Sequence, residues 1–166
     1  MVKLKYFLTG TLIVVIGVVI ALTFFPSEER SVKKRFHLLS EWVSKSPEES
    51  AFTLLQKMKD IGGLFLDQCE LKASDQSLSG TYTRQEISAY AGSARAHFSR
   101  LDLTFHDIRV VFPEKKIASV TLTARLTGRS TNEEQVEEIR ELECFLKKID
   151  RKWFFSRIEV IEVLKK

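Results

Sequence analysis

The sequence predicts an α+β domain carried behind a single N-terminal membrane helix, on three observations. An uncharged apolar run opens the chain, three helical patterns follow it, and the period of the apolar residues then falls from helical to two for the last third.

The apolar run decides how much chain is left to fold. No charged residue lies between Lys5 and Glu28, and Tyr6 to Phe25 reads YFLTGTLIVVIGVVIALTFF. That is about the twenty residues a helix needs to cross a hydrocarbon layer of ~30 Å. Val, Ile and Leu on every side leave no polar face for water, whereas inside a bilayer a helix satisfies its own backbone hydrogen bonds. A cleaved signal peptide is the rival reading. Its apolar region runs about 7 to 15 residues and ends on small residues, but here Phe24-Phe25-Pro26 directly follows Ala21-Leu22-Thr23. The chain therefore divides into a basic tail over 1–5, a span over 6–25 and a domain over 26–166. Lys3 and Lys5 before the span nearly balance Arg30, Lys33, Lys34 and Arg35 after it, so flanking charge does not decide orientation. A span this close to the N-terminus behind a short basic tail has the form of a signal-anchor. It places the domain on the extracytoplasmic (periplasmic) side of a single-pass membrane protein.

Roughly 140 residues remain, the size of one domain with one core. No Pro-rich or Gly/Ser linker and no repeat divides them. Without Lys3 and Lys5 the 26 basic residues become 24 against 22 acidic ones, a net charge of about +2 that gives no reason to expect a nucleic-acid partner.

Ser27 to Asp60 reads as two helices. In the first, Val32, Phe36, Leu39 and Val43 share one face, and in the second Ser46-Pro47-Glu48-Glu49 has the form of a capping serine followed by Pro and Glu. Gly62-Gly63 ends it. Leu64 to Lys72 reads as a strand, followed by the polar turn Ser74 to Ser77 and the stretch Gly80-Thr81-Tyr82. A capping box, Thr83-Arg84-Gln85-Glu86, then opens a third helix with Ile87, Tyr90, Ala91, Ala94, Phe98 and Leu101 at helical spacing. The stripe of Ile87, Ala91, Ala94 and Phe98 is expected to lie buried against Val120, Leu122 and Phe155.

Leu101 to Phe112, Ile117 to Thr127, Val136 to Lys148 and Trp153 to Leu164 read as four strands of an antiparallel meander. In the second, Ala118, Val120, Leu122, Ala124 and Leu126 face one way and Ser119, Thr121, Thr123, Arg125 and Thr127 the other. In the first, Leu101, Leu103 and Phe105 give way to Ile108, Val110 and Phe112. That change of parity requires a bulge near His106-Asp107.

This order of elements resembles the nuclear transport factor 2-like superfamily, which includes SnoaL-like and ketosteroid-isomerase-like proteins. The residues that carry the resemblance are Phe65-Leu66-Asp67 entering the first strand, Gly80 before Arg84-Gln85-Glu86-Ile87, and Lys148-Ile149-Asp150-Arg151-Lys152-Trp153 in the last hairpin. Arg151 stands where that family often has Gly. The resemblance implies a cone in which three helices pack on a curved, mostly antiparallel sheet whose open end forms an apolar pocket. It also implies that the last strand lies between those of Cys69 and Cys144. Two strand spacings, about 9.6 Å, exceed the ~7 Å reach of a disulfide, so both are expected to be buried free thiols.

Candidate chemistry is sparse. Asp67 stands near the place of the carboxylate base in ketosteroid-isomerase-like members, but an ordinary polar residue at a strand entrance is the favoured reading. His97 borders the third helix's stripe and fits either a pocket wall or a surface position. Arg140 or Arg157 pointing into the cone would hold an anionic group, with Tyr90 closing the same pocket. The acidic run Glu133 to Glu138 fits a solvated hairpin paired with residues such as Arg125. His37, His97 and His106 have no paired spacing, and no phosphate loop, nucleophile elbow or C-x-x-C pair occurs, so no metal or cofactor is expected. The reading is a membrane-anchored, non-enzymatic binding or interaction module for a small apolar ligand or a protein partner. Its alternatives are a small lyase or isomerase acting in the cone and a homodimer formed through an exposed sheet face.

Overall fold

The computed structural model describes residues 28–73 and 79–161. The expected basic tail and membrane span, the turn at 74–77 and the last residues beyond Ile161 lie outside them. Among the described residues no helix is long and apolar enough to cross a membrane. The chain separates into two compact units, Met1–Ser31 and Val32–Lys166. Of the first, residues 28–31 are described, and they are helical.

Helix α1 covers 28–43, α2 Ala51–Gly62 and α3 Arg84–Ala96. The strands are β1 Phe65–Lys72, β2 Gly80–Tyr82, β3 Phe98–Glu114, β4 Ile117–Ser130, β5 Gln135–Ile149 and β6 Lys152–Ile161. They form one six-stranded sheet in the order β2-β1-β6-β5-β4-β3. Of these described strands β1 and β6 run parallel, and every other neighbouring pair is antiparallel.

The period-two strands alternate as the sequence requires. Ala118, Val120, Leu122 and Ala124 are buried on β4, and their partners Leu146, Cys144 and Leu142 on β5 continue the same apolar face. Helix α1 covers this face with Val32, Phe36 and Leu39. The parity change in β3 is the expected bulge: the β3–β4 register shifts between His106 and Arg109, and Asp107 takes a left-handed φ of 54°. A short polar side chain tolerates that conformation, and the bulge bends the long edge strand.

Two expectations are corrected. Helix α2 begins at Ala51 and not after Ser46, with Ser50 as its cap: the Ser50 hydroxyl accepts from the Thr53 amide at 3.1 Å. Glu49, expected to cap the helix, instead turns inward to a buried ion pair, which costs less than leaving a guanidinium unpaired. Helix α3 has its capping box in full, with the Thr83 amide donating to Glu86 Oε2 at 2.8 Å and the Glu86 amide to Thr83 Oγ1 at 3.3 Å. Its buried stripe is rotated, however. Ile87 and Arg95 are buried, Ala91 is half-buried and Ala94 faces solvent. The cause is that α3 packs mainly against α2, not across the sheet. Gly62 allows the close approach, since a Cβ there would meet the Arg84 carbonyl oxygen at 2.9 Å.

The last hairpin closes through Asp150 and Arg151, both left-handed with φ of 45° and 67°, between the paired Ile149 and Lys152. Two positive φ values in a two-residue loop suit the twist of the strands but strain a side chain larger than Gly at the second position. Arg151→Gly is expected to stabilise the protein by about 0.5 to 1 kcal/mol in denaturant unfolding. Phe155→Ala, at a fully buried position, is expected to destabilise it by about 3 to 5 kcal/mol.

Candidate functional site

Aromatic side chains pack against one another in the interior between α1 and the sheet. Phe36 from α1 meets Phe105 edge-on at 5.5 Å between centroids and Phe155 at 5.0 Å, while Phe65 lies 5.2 Å from Phe155. At the other end of the sheet Phe112 packs 5.7 Å from Trp153. Edge-to-face rings at these separations gain beyond their buried area, so this cluster is a packed core.

Beside the aromatic core lies a buried ionic centre that the sequence reading missed. Arg95 is 1% exposed, and its Nη2 donates to Glu49 Oε2 and, at 3.2 Å, to the Ser44 carbonyl. Lys57 Nζ reaches the other Glu49 oxygen at 2.7 Å. Lys45 Nζ donates to the Arg95 and Phe98 carbonyls at 3.1 and 2.6 Å, at the C-terminal end of α3 where the helix dipole favours a cation. The signal was present. Arg95 follows Ile87 and Ala91 at intervals of eight and four, in register with the buried stripe.

The five residues singled out in the sequence do not converge. Asp67 has an 85% exposed side chain and pairs with Arg84 Nε at 3.0 Å. Tyr90 is 58% exposed, its ring edge-on to Tyr82 at 5.4 Å. His97 caps the C-terminus of α3, is exposed, and places Nδ1 2.7 Å from the Ser93 carbonyl. Arg140 stands opposite Ala124, on the helix-facing side of β5, but is exposed and pairs with Glu138 at 2.9 Å. Arg157 stands opposite Phe145, which alternates with buried Cys144 and Leu146, so it lies on the face of the sheet away from the helices. There its Nε donates to Glu70 at 2.6 Å, and its guanidinium lies 5.3 Å over the Phe145 ring. Of Arg140 and Arg157, either of which could have pointed into the cone, Arg157 points away from it, because the β5–β6 register shifts between Phe145 and Leu146.

Desolvation alone would raise the Glu70 carboxyl, but the hydrogen bonds and positive charges of Arg157 and Lys72 outweigh it and hold that carboxyl below its usual range. On the same outer face Arg125 pairs with Glu137 at 2.8 Å, the cross-strand neutralisation expected of the acidic hairpin. Cys69 and Cys144 are free and buried, on β1 and β5 with β6 between them. Burial, reinforced by nearby Glu70, pushes the Cys69 thiol up to about 12, and burial likewise raises Cys144. Among the described residues no group of three His, Cys, Asp or Glu side chains is placed to hold a metal ion. Among the described residues, open grooves lie on the outer surface of the sheet. One, of about 510 Å³, is lined by residues including Pro47, Arg100, Asp102, Arg129, Glu133 and Gln135; another, of about 320 Å³, includes Asp107, Arg109 and Glu141.

No protein-family model matches the sequence, and no curated protein matches it. Solved structures do. The chain is similar to the Kfla4162 protein from Kribbella flavida (TM-score 0.68, 10% identity, covering 81% of this chain and 90% of that one). It is also similar to Aln2 from a Streptomyces species (0.64, 13%, 81% and 90%) and to a hexachlorocyclohexane dehydrochlorinase (0.65, 10%, 81% and 84%). At these identities the likeness shows the fold: three helices on a mixed, curved six-stranded sheet, the nuclear transport factor 2-like α+β cone.

Two outcomes test this arrangement. Glu49→Gln, which leaves Arg95 buried without its counter-charge, is expected to destabilise the protein by about 3 to 5 kcal/mol, and the double variant Glu49→Leu with Arg95→Met by much less. At pH 8 neither cysteine is expected to react with iodoacetamide in the folded protein, since the thiolate is the nucleophile and both thiols are held protonated; mass spectrometry should find both alkylated after unfolding.

Proposed function

We propose that the chain is a membrane-tethered, nuclear transport factor 2-like domain whose cone acts as a non-enzymatic binding or protein-interaction module. The observation that carries this reading is a contrast in placement. The ionisable candidates Asp67, Tyr90, His97, Arg140 and Arg157 are scattered over separate surfaces, each with its own local partner, whereas large apolar side chains stand exposed on the helical layer. Phe52 and Leu55 on α2 are 76% and 70% exposed, one helical turn apart, and Tyr90 is exposed on α3. Catalysis needs groups that converge on one point, and a partner surface needs exposed apolar area.

The alternative, a small lyase or isomerase acting on an apolar substrate, rests on the dehydrochlorinase among the similar structures. Fold likeness transfers no site, and Asp67, the carboxylate nominated for that chemistry, is ion-paired and open to water. The uncharged run over 6–25 supports the tether.

Photo-crosslinking in the native membrane tests the interaction reading. A benzophenone amino acid in place of Phe52 is expected to give a discrete adduct with one protein, whereas the same probe at Asp150 gives none. Absence of an adduct at Phe52 and Leu55, together with an eliminating activity abolished by Asp67→Asn, would replace the module with the enzyme. Alkaline carbonate extraction tests the tether: the full chain is expected in the pellet and a chain beginning at Glu28 in the supernatant.

A further inference from the structure

In the wall of the 510 Å³ groove on the outer sheet surface two cations face each other across a strand pair. Arg100 on β3 stands directly opposite Arg129 on β4. Like charges at directly opposed positions destabilise a strand pair; Arg157 by contrast stands opposite Glu70, while Glu143 opposite Glu159 is a second like-charge pair on this sheet. Arg129 reaches a carboxylate only at 3.5 Å, from Glu133, whose side chain is 80% exposed and whose backbone is left-handed at φ 69°. Among the described residues no ion pair or side-chain hydrogen bond reaches the Arg100 guanidinium. Both arginines line an open groove of about 510 Å³, within the range of small-molecule sites, with the Gln135 amide and the Thr127 hydroxyl in the same wall.

We infer that this groove binds a small carboxylate bearing a hydroxyl or amino group next to the acid, its carboxylate bridging Arg100 and Arg129. Guanidinium forks match a planar carboxylate in two parallel hydrogen bonds, and a bridging anion turns the repulsion between the two arginines into attraction. The acids in the wall select the rest of the ligand. Asp102, which accepts from Ser44 Oγ at 3.4 Å, and Glu133 both repel a bare polyanion and accept hydrogen bonds from a hydroxyl or ammonium beside the carboxylate. The site stands apart from the aromatic core and from the exposed helical residues, so it neither requires nor contradicts the interaction surface.

The test is titration of the full chain in non-ionic detergent by isothermal calorimetry at constant ionic strength, with glycolate, acetate and inorganic phosphate as probes. Glycolate is expected to saturate one site and to bind more tightly than either of the others. Arg100→Gln is expected to weaken it at least about tenfold, the loss of one charge-assisted pair. Arg125→Gln, on the same sheet face outside the groove, is expected to leave glycolate binding within a factor of about two, since its charge is distant and screened. Absence of saturation by glycolate, tighter binding of phosphate, or equal binding by the Arg100→Gln variant would each overturn the assignment. Circular dichroism of each variant guards against reading unfolding as lost binding.

Discussion

The helical layer hangs on the pair of Glu49 and Arg95. One carboxylate, 5% exposed, neutralises a guanidinium that is 1% exposed, while Lys57 shares the same acid and Lys45 ties the end of α3 to the start of β3. Through those contacts the α1–α2 connection, the middle of α2, the last turn of α3 and the entrance to β3 are held together. Arg95 Nε and Nη1 are buried without a partner among the described residues, so the guanidinium already carries an uncompensated desolvation cost. Losing the Glu49 counter-charge therefore matters more than losing a surface ion pair.

That constraint explains why α3 turns away from the place the sequence pattern assigns it. With Arg95 drawn toward Glu49 and Gly92 set against Met58, the helix lies on α2, and Ala94 rotates to solvent. The duty of covering the sheet passes to α1. Phe36 fills the space between Phe105 and Phe155, where the curvature produced by the bulge at Asp107 brings β3 and β6 toward the same ring. Among the described residues the candidate ionisable groups lie on the helices and on the exposed surfaces of the sheet.

Most of the strand layer was legible because period two leaves little freedom: a slip of one residue would expose Ala118, Val120 and Leu122 together. The bulge was legible for the same reason, as a break in parity between Phe105 and Ile108. The capping box of α3 was legible because its two hydrogen bonds are local, whereas the start of α2 was not, because Glu49 answers to a residue 46 positions away. The candidate site was the least legible part. The side chains of Asp67, Tyr90, His97, Arg140 and Arg157 have the right chemistry for a site, but which face each occupies depends on registers that no local pattern shows, such as the shift between Phe145 and Leu146. The facing of Arg100 and Arg129 likewise exists only once β3 and β4 are paired.

Whether the middle of the cone is packed or open decides whether a ligand can bind inside it. Methyl and aromatic NMR of the full chain in detergent micelles under xenon pressure addresses it directly, since xenon enters apolar cavities and shifts the resonances that line them. The packed aromatic centre predicts that the rings of Phe36, Phe105 and Phe155 shift no more than those of exposed Phe52. A saturable shift centred on those three rings, absent from Phe52, would show an internal apolar site and contradict it.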